Sequence, residues 1–307
     1  MGIVALPLLV VLTPRILLIV NPASRRGARL ETVARRAFHA ANADVDVVRT
    51  ERAGHATEIA STRGREYAMV FTLGGDGTAM EAAHGLAGSE VPIGVLAGGT
   101  GNLLGRALGI PRRVNHAVPA LLGGDVRRID LGVVQGRRFA VAAGVGIDAA
   151  MVEETPPWLK RRLGVLAYTL IASKAAMRGV VLRRFFRARI ETETEVLECD
   201  ASAVLFANFG AILEDRIAFG PDIAVDDGLL DCCVFSPRNL SDAMRIMWRV
   251  TRQDFRPDRS ILYRKGARFR ISTTPVLRLQ ADGELLGPTP AEVTVEPLAA
   301  RLLVPHR

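Results

Sequence analysis

Two glycine-rich turns, each directly after an apolar run and directly before a helical pattern, constrain this chain more than any other feature. The first is Gly74-Gly75-Asp76-Gly77-Thr78 after Tyr67–Leu73. The second is Gly98-Gly99-Thr100-Gly101-Asn102 after Pro92–Leu96. Upstream, Ile16–Val20 and Val45–Val48 read as buried strands. Between them Leu30, Val33, Ala34, Ala37, Phe38 and Ala41 recur at helical spacing, and Ala53–Ser61 reads as a short helix. From Arg15 to about Gly132 the order is therefore βαβα, which implies a mostly parallel sheet covered by helices on both faces. Ligands of such sheets bind beyond the carboxyl ends of the strands, where both turns fall.

After Gly132 the pattern changes. Phe139–Ala143, Arg183–Glu191, Glu195–Asn208, Leu229–Phe235, Arg268–Ser272 and Val276–Ala281 are strand-like, with helices expected over Trp158–Met177 and Ser241–Asp254. The expected fold is an N-terminal doubly wound α/β nucleotide-binding domain over 14–133, followed by a mainly antiparallel β-sandwich over 134–295. The terminal stretch 296–305 is expected to return to the first domain as an added strand. At 307 residues, 49% of them hydrophobic, the chain can bury the core that two domains need.

Composition narrows the partners. The net charge of +8 and pI near 10.2 favour polyanions: nucleic acid, anionic headgroups or nucleotide phosphates. No zinc pattern, helix-turn-helix signal or aromatic stacking run supports nucleic acid. Cys199, Cys232 and Cys233 offer neither a disulfide framework nor a CxxC pair, in keeping with a reducing cytoplasm. Adjacent Cys232 and Cys233 are expected on opposite faces of one strand. The apolar run Ile3–Leu12 is broken by Pro7, lacks a preceding Lys or Arg, and is too short to span a bilayer as a helix. It reads as an extension, with a superficial membrane contact as the alternative, and the protein as soluble.

Glycines let a backbone approach phosphates closely, and a following helix presents free N–H groups to an anion. Asp76 is unusual in such a cradle. It fits either a Mg²⁺ ion accompanying the phosphates or a carboxylate that orients the loop. Asn21-Pro22-Ala23-Ser24 adds a third polar turn on the same edge, although Ser24 alone would serve as a helix cap. Three converging loops point to a nucleotide.

These motifs, with Glu81, Asp226-Asp227-Gly228-Leu229-Leu230-Asp231 and Asp282-Gly283-Glu284, occur in the order seen in the diacylglycerol kinase catalytic family, and the chain resembles it from about Arg15 to Pro305. That family includes bacterial diacylglycerol and phosphatidylglycerol kinases and sphingosine and ceramide kinases. The resemblance implies an ATP- and Mg²⁺-dependent lipid kinase. By position it implies ATP contacts at Asn21, Pro22, Ala23, Ser24, Arg25, Thr50, Gly74, Gly75, Asp76, Gly77, Thr78, Ala79, Met80, Glu81, Thr100, Gly101 and Asn102. It implies a structural Mg²⁺ at Asp227, completed by the carbonyls of Ala224 and Leu229, and a general base at Asp282 with Glu284 beside it. From the residues alone, Asp226-Asp227-Gly228 reads as a turn and Asp282-Gly283 as a hairpin signal.

The chain departs from the family in two places. Leu103-Leu104 stands where many bacterial members have Asp-Phe, although Asp130 keeps a matching acidic position. The first loop reads Ser24-Arg25-Arg26-Gly27, delaying its glycine. A membrane lipid substrate implies peripheral contact with an anionic membrane surface, at the inner face for a cytoplasmic protein. Arg245, Arg249 and Arg252 beside Met244, Met247 and Trp248 are candidates for that contact, as is the basic start of the Trp158 helix. The sequence leaves room for a homo-oligomer. A nicotinamide-nucleotide kinase and a catalytically silent nucleotide-binding regulator are the rival readings.

Overall fold

The computed structural model describes residues 14–99, 101–146, 185–212, 217–218, 220–256 and 258–306. The segment before residue 14, Thr100 and the expected Trp158–Met177 helix lie outside the described residues. The first half runs β1 (Arg15–Val20), α1 (Gly27–Ala40), β2 (Asp44–Arg49), α2 (His55–Arg63), β3 (Met69–Gly74), α3 (Asp76–Gly85), β4 (Ile93–Ala97), α4 (Leu103–Ala107) and α5 (Val114–Leu122). Its four strands are parallel in the order β2-β1-β3-β4. Ile16 to Val20 are wholly buried, as expected of a parallel strand covered on both faces. Helix α1 packs on α5, and α2 packs on α3. Phe38 of α1 meets Phe71 of β3 edge-on at 5.0 Å, a pairing worth about 0.5–1.5 kcal/mol beyond its buried area. Buried Glu31 of α1 accepts both Nε and Nη2 of Arg49, at 2.8 and 2.9 Å, and so ties α1 to β2. These bonds, led by Arg49, hold its carboxyl below the usual range.

The second half supplies β5 (Asp125–Val134), β6 (Arg137–Phe139), β7 (Ala142–Gly146), β8 (Phe186–Glu191), β9 (Val196–Ala201), β10 (Ala203–Ala207) and two short strands, β11 (Ala211–Ile212) and β12 (Ile217–Ala218). It continues with β13 (Leu230–Phe235), α6 (Leu240–Arg252), β14 (Ile261–Gly266), β15 (Arg268–Thr274), β16 (Arg278–Ala281), β17 (Glu284–Pro288) and β18 (Ala291–Val304). Six strands form an antiparallel sheet in the order β14-β13-β10-β7-β16-β17. Phe139, Phe206 and Phe269 fill the core between this sheet and the other strands of the sandwich. Cys232 faces that core and Cys233 the other one, so the two thiols point to opposite faces of β13, and burial pushes both upward.

The terminal strand is longer than the expected return over 296–305. Strand β18 starts in the sandwich, where Ala291–Thr294 pair with β15, and ends beside β4, where Leu302 pairs with Ile93. Along its length it also pairs with β5, from Val293–Val134 to Val304–Asp125, with a register break between Glu296 and Ala300. One ten-stranded sheet therefore runs through both halves. The break is fixed from the side: Leu298, with φ +50°, donates its N–H to Oδ1 of buried Asp130 at 2.7 Å.

Candidate active site

The carboxyl edge of the parallel sheet gathers the three polar loops, and hydrogen bonds lock them together. The Asn21 N–H donates to Leu73 O at 2.9 Å, and the Arg26 N–H to Gly98 O at 2.9 Å. Both Gly98 and Gly99 donate to Gly74 O at 2.8 Å. Asn21 Nδ2 donates to the Thr78 hydroxyl at 3.0 Å, while Asn21 Oδ1 accepts the Ala23 N–H. Ser24 turns back to Asn21 O and accepts the Gly27 N–H, so its hydroxyl shapes the entry to α1. Thr50 joins the same edge through its N–H to Val20 O at 2.8 Å. Pro22, Ala23 and Arg25 are exposed on the rim.

Asp76 has the loop-orienting contact. Its Oδ1 accepts the Leu104 N–H at 3.0 Å, so the carboxylate orients the second loop and the start of α4. Burial is the main cause raising its pKa, opposed by surrounding backbone N–H groups. Leu104 itself is buried, an apolar anchor whose amide Asp76 holds. Asn102 closes the loop on itself, accepting the Gly99 N–H and donating to Gly99 O. Gly77 lies in the first turn of α3, whose leading N–H groups have no intrahelical acceptor and face any anion placed there.

Not every expected contact points inward. Ala79 and Met80 bury their side chains in the core, which leaves only backbone for a ligand. Glu81 accepts the N–H groups of Gly54 and Ala56 at 2.9 and 3.0 Å, so it caps α2 rather than facing the cradle.

Asp282 and Gly283, at φ +47° and +84°, form the two-residue turn between β16 and β17. The hairpin reading is thus correct as structure, and the carboxylate does more. Its Oδ2 accepts the Ala140 N–H at 2.8 Å, and Oδ1 accepts those of Val141 and Ala142 at 2.9 and 3.0 Å. Burial, against those three bonds and aided by the charge of Asp76, pushes the carboxyl up to about 6. Asp76 and Asp282 therefore sense each other across the site. Glu284 is held by Arg137, and its Oε1 lies 3.2 Å from where a Cβ on Gly77 would stand. The hairpin thus abuts the first glycine loop.

At Asp227 the loop already holds a cationic side chain. Asp227 Oδ1 accepts the Leu229 N–H at 3.0 Å, and Oδ2 takes Lys265 Nζ at 3.0 Å. Among the described residues no cluster of three His, Cys, Asp or Glu side chains could hold an ion. Expected metal ligands Ala224, Asp227 and Leu229 thus sit in a loop whose carboxylate already has a cation. Several organising residues escape sequence reasoning. Asn208 Nδ2 donates to Asp130 O and Ala140 O, Asp130 Oδ2 accepts the Gly228 N–H, and Gln280 accepts the Gly283 N–H. Together they link the Asp227 loop to the peptides that hold Asp282. Asn208 and Gln280 signal themselves only by polarity near a strand end, and Asp130, noted in the sequence as an acidic position, gives no hint of these partners.

Glycine-rich loops at the edge of an α/β sheet, faced by a carboxylate from a β-sandwich, form an arrangement suited to a kinase. Residues 15–134 match the diacylglycerol kinase catalytic domain, and residues 140–304 match the YegS C-terminal NAD kinase beta sandwich-like domain. The chain belongs to the diacylglycerol kinase catalytic family. It is 30% identical to a diacylglycerol kinase of Bacillus subtilis, covering 90% of this chain and 91% of that one. It is 28% identical to an uncharacterized protein of Synechocystis, of whose length it spans 55%. A crystal structure from Bacillus anthracis superposes with a TM-score of 0.78 at 25% identity, covering 95% of this chain and 97% of that one.

Proposed function

We propose that this kinase transfers the γ-phosphoryl group of ATP to a hydroxyl of a membrane lipid of the diacylglycerol, phosphatidylglycerol or sphingoid class. The observation that carries the reading is the approach of the Asp282–Glu284 hairpin to the glycine loop, which sets a raised-pKa carboxylate against the phosphate cradle. Family membership and the diacylglycerol kinase relatives support the lipid acceptor.

Bound ATP, arriving with Mg²⁺, supplies the phosphoryl group. The chain positions and neutralises, as the loose transition state of this chemistry requires. Backbone N–H groups at the start of α3 face the phosphates, and Arg25 stands at the rim. Asp282 takes the proton of the lipid hydroxyl as its oxygen bonds to phosphorus and the bond to the ADP oxygen breaks. Of its two oxygens, Oδ2 carries one amide bond and Oδ1 two, so Oδ2 has the spare lone pair for this proton. Glu284, fixed by Arg137, keeps the hairpin against Gly77. Incubating the protein with γ-labelled ATP and a panel of diacylglycerol, phosphatidylglycerol, sphingosine and NAD tests the reading. Label is expected in one lipid. Label in NAD alone establishes the nicotinamide-nucleotide kinase, and no transfer to any acceptor favours the silent regulator.

Peripheral membrane contact belongs to the same proposal, with a revised surface. Among the described residues no helix is long and apolar enough to cross a membrane. On α6, Arg245 pairs with Asp242 and Asp258, and Arg249 pairs with Asp258 and Asp254, so neither cation of the expected trio is offered outward. Met244 and Trp248 instead stand 67% and 61% exposed, with the Arg252 guanidinium 4.4 Å over the indole. These three residues are one helical turn apart, an apolar strip ending in a charge suited to an anionic interface. Replacing Met244 and Trp248 together with serine should reduce sedimentation with phosphatidylglycerol vesicles several-fold without lowering the melting temperature. Undiminished sedimentation would remove α6 from the interface.

A further inference from the structure

The Asp227 loop carries a cation of its own. Residues 220–229 run into β13, whose first turn of ladder places Asp231 directly opposite Lys265 of the edge strand β14. Opposed residues of an antiparallel pair project to the same face, so the lysine is aimed at the loop by backbone register and not by chance of rotamer. Its Nζ donates to Asp227 Oδ2 at 3.0 Å and to the backbone carbonyl of Asp222 at 3.1 Å, and lies 3.6 Å from Asp231 Oδ2. An ammonium has three N–H donors, and here three oxygens from three residues surround it.

We propose that Lys265 is the resident cation of this loop, in place of the divalent ion that the family resemblance implies. Mg²⁺ needs a near-octahedral oxygen shell at about 2.0–2.1 Å. An ammonium 3.0 Å from the same Asp227 oxygen occupies that shell and repels a second positive charge. The other Asp227 oxygen is committed to the Leu229 N–H. The need for positive charge is met as well: Asp231 Oδ2 is buried and accepts no hydrogen bond, so the nearby ammonium is the charge that compensates it. The loop so held passes its order inward. The Asp130 N–H donates to Val225 O at 2.6 Å, and Asp130 Oδ2 accepts the Gly228 N–H at 2.7 Å. Lys265 thereby acts as a positioning residue for the loop, and this holds whichever lipid is the acceptor.

The test uses the full chain without nucleotide, so that no ion enters with ATP. Thermal melts in EDTA and in millimolar Mg²⁺ should coincide for the wild type, and Mn²⁺ titration followed by electron paramagnetic resonance should show no site that depends on Asp227. Lys265→Met should melt several degrees lower in EDTA, recover part of the loss in Mg²⁺, and gain one Mn²⁺ site that a further Asp227→Ala removes. Wild-type Mn²⁺ binding abolished by Asp227→Ala would overturn the proposal, as would a Lys265→Met protein melting like wild type in EDTA. If Lys265→Met does not fold, the wild-type Mn²⁺ titration decides alone, because binding there is incompatible with a resident ammonium and its absence sustains it.

Discussion

Asp282→Asn should lower lipid phosphorylation by on the order of 10²-fold or more while nucleotide affinity stays nearly intact. The substitution keeps size and polarity and removes the proton acceptor. The turn is not the issue, since Asn-Gly serves a hairpin as well as Asp-Gly. Three amides complicate the change. An asparagine oxygen can keep the Val141 and Ala142 bonds, but its NH₂ then confronts the Ala140 N–H, donor against donor. An unsatisfied buried donor costs about 1–3 kcal/mol, so the variant should also melt at a lower temperature. Nucleotide affinity, melting temperature and turnover per folded molecule, measured together, separate the roles. Turnover near normal in the folded fraction would remove Asp282 from the chemistry and leave it as a brace.

The same carboxyl gives a pH signature. Folded, it holds its proton up to about pH 6; the ordinary value is 3.8. The base form is needed for turnover, so kcat/KM should fall as pH drops below about 6, and a flat profile down to pH 5 would contradict the assignment. Stability moves oppositely. The folded state binds this proton more tightly than the unfolded chain, so this group favours folding increasingly as pH falls through that window.

Gly99→Ala should cripple nucleotide binding, by about tenfold or more, and lower the melting temperature. A Cβ there would stand 2.4 Å from Gly75 Cα and 3.1 Å from Gly75 N, backbone atoms that cannot swing aside. Overpacking of this kind costs about 1–3 kcal/mol, and every 1.4 kcal/mol is tenfold in an equilibrium. Gly75→Ala is the matched control. Its Cβ would meet Gly99 Cα at 3.6 Å, an ordinary contact, and its φ of −91° suits any residue. That variant should melt like wild type. If it nonetheless loses nucleotide affinity, the phosphates approach the Gly75 backbone directly. Equal melting of both variants would show that the loops are not in the contact described.

The parallel sheet and its loops were readable in advance because parallel strands must be continuously apolar and their ends carry glycine. What stayed hidden obeys weaker local rules. Helix α5 contains Pro119, a breaker by propensity that packing on α1 overrides. Strand β17 ends in Gly287-Pro288, and β14 carries Arg264 and Lys265, so neither reads as a strand although both lie at sheet edges, where such residues are tolerated. The site divides in the same way. Asp76, Asn21 and Asp282 announce themselves through their turns, but their partners do not. Lys265 is 38 positions from Asp227, and Ala140 is 142 from Asp282, separations that no motif spans.

The β5–β18 ladder has a consequence for how the cleft can work. Its pairs stretch from Val293–Val134 in the sandwich to Val304–Asp125 beside the nucleotide sheet. The pairing is interrupted only between Glu296 and Ala300, so the halves can bend relative to each other at that point but cannot separate as two bodies without tearing the ladder on one side of it. Cutting the chain near residue 134 would strip β4 of its neighbour and leave a raw edge on each fragment, prone to pair with other chains. The two halves are accordingly bound to melt as one cooperative unit, and a ligand that grips the glycine loops stabilises the distant sandwich as well.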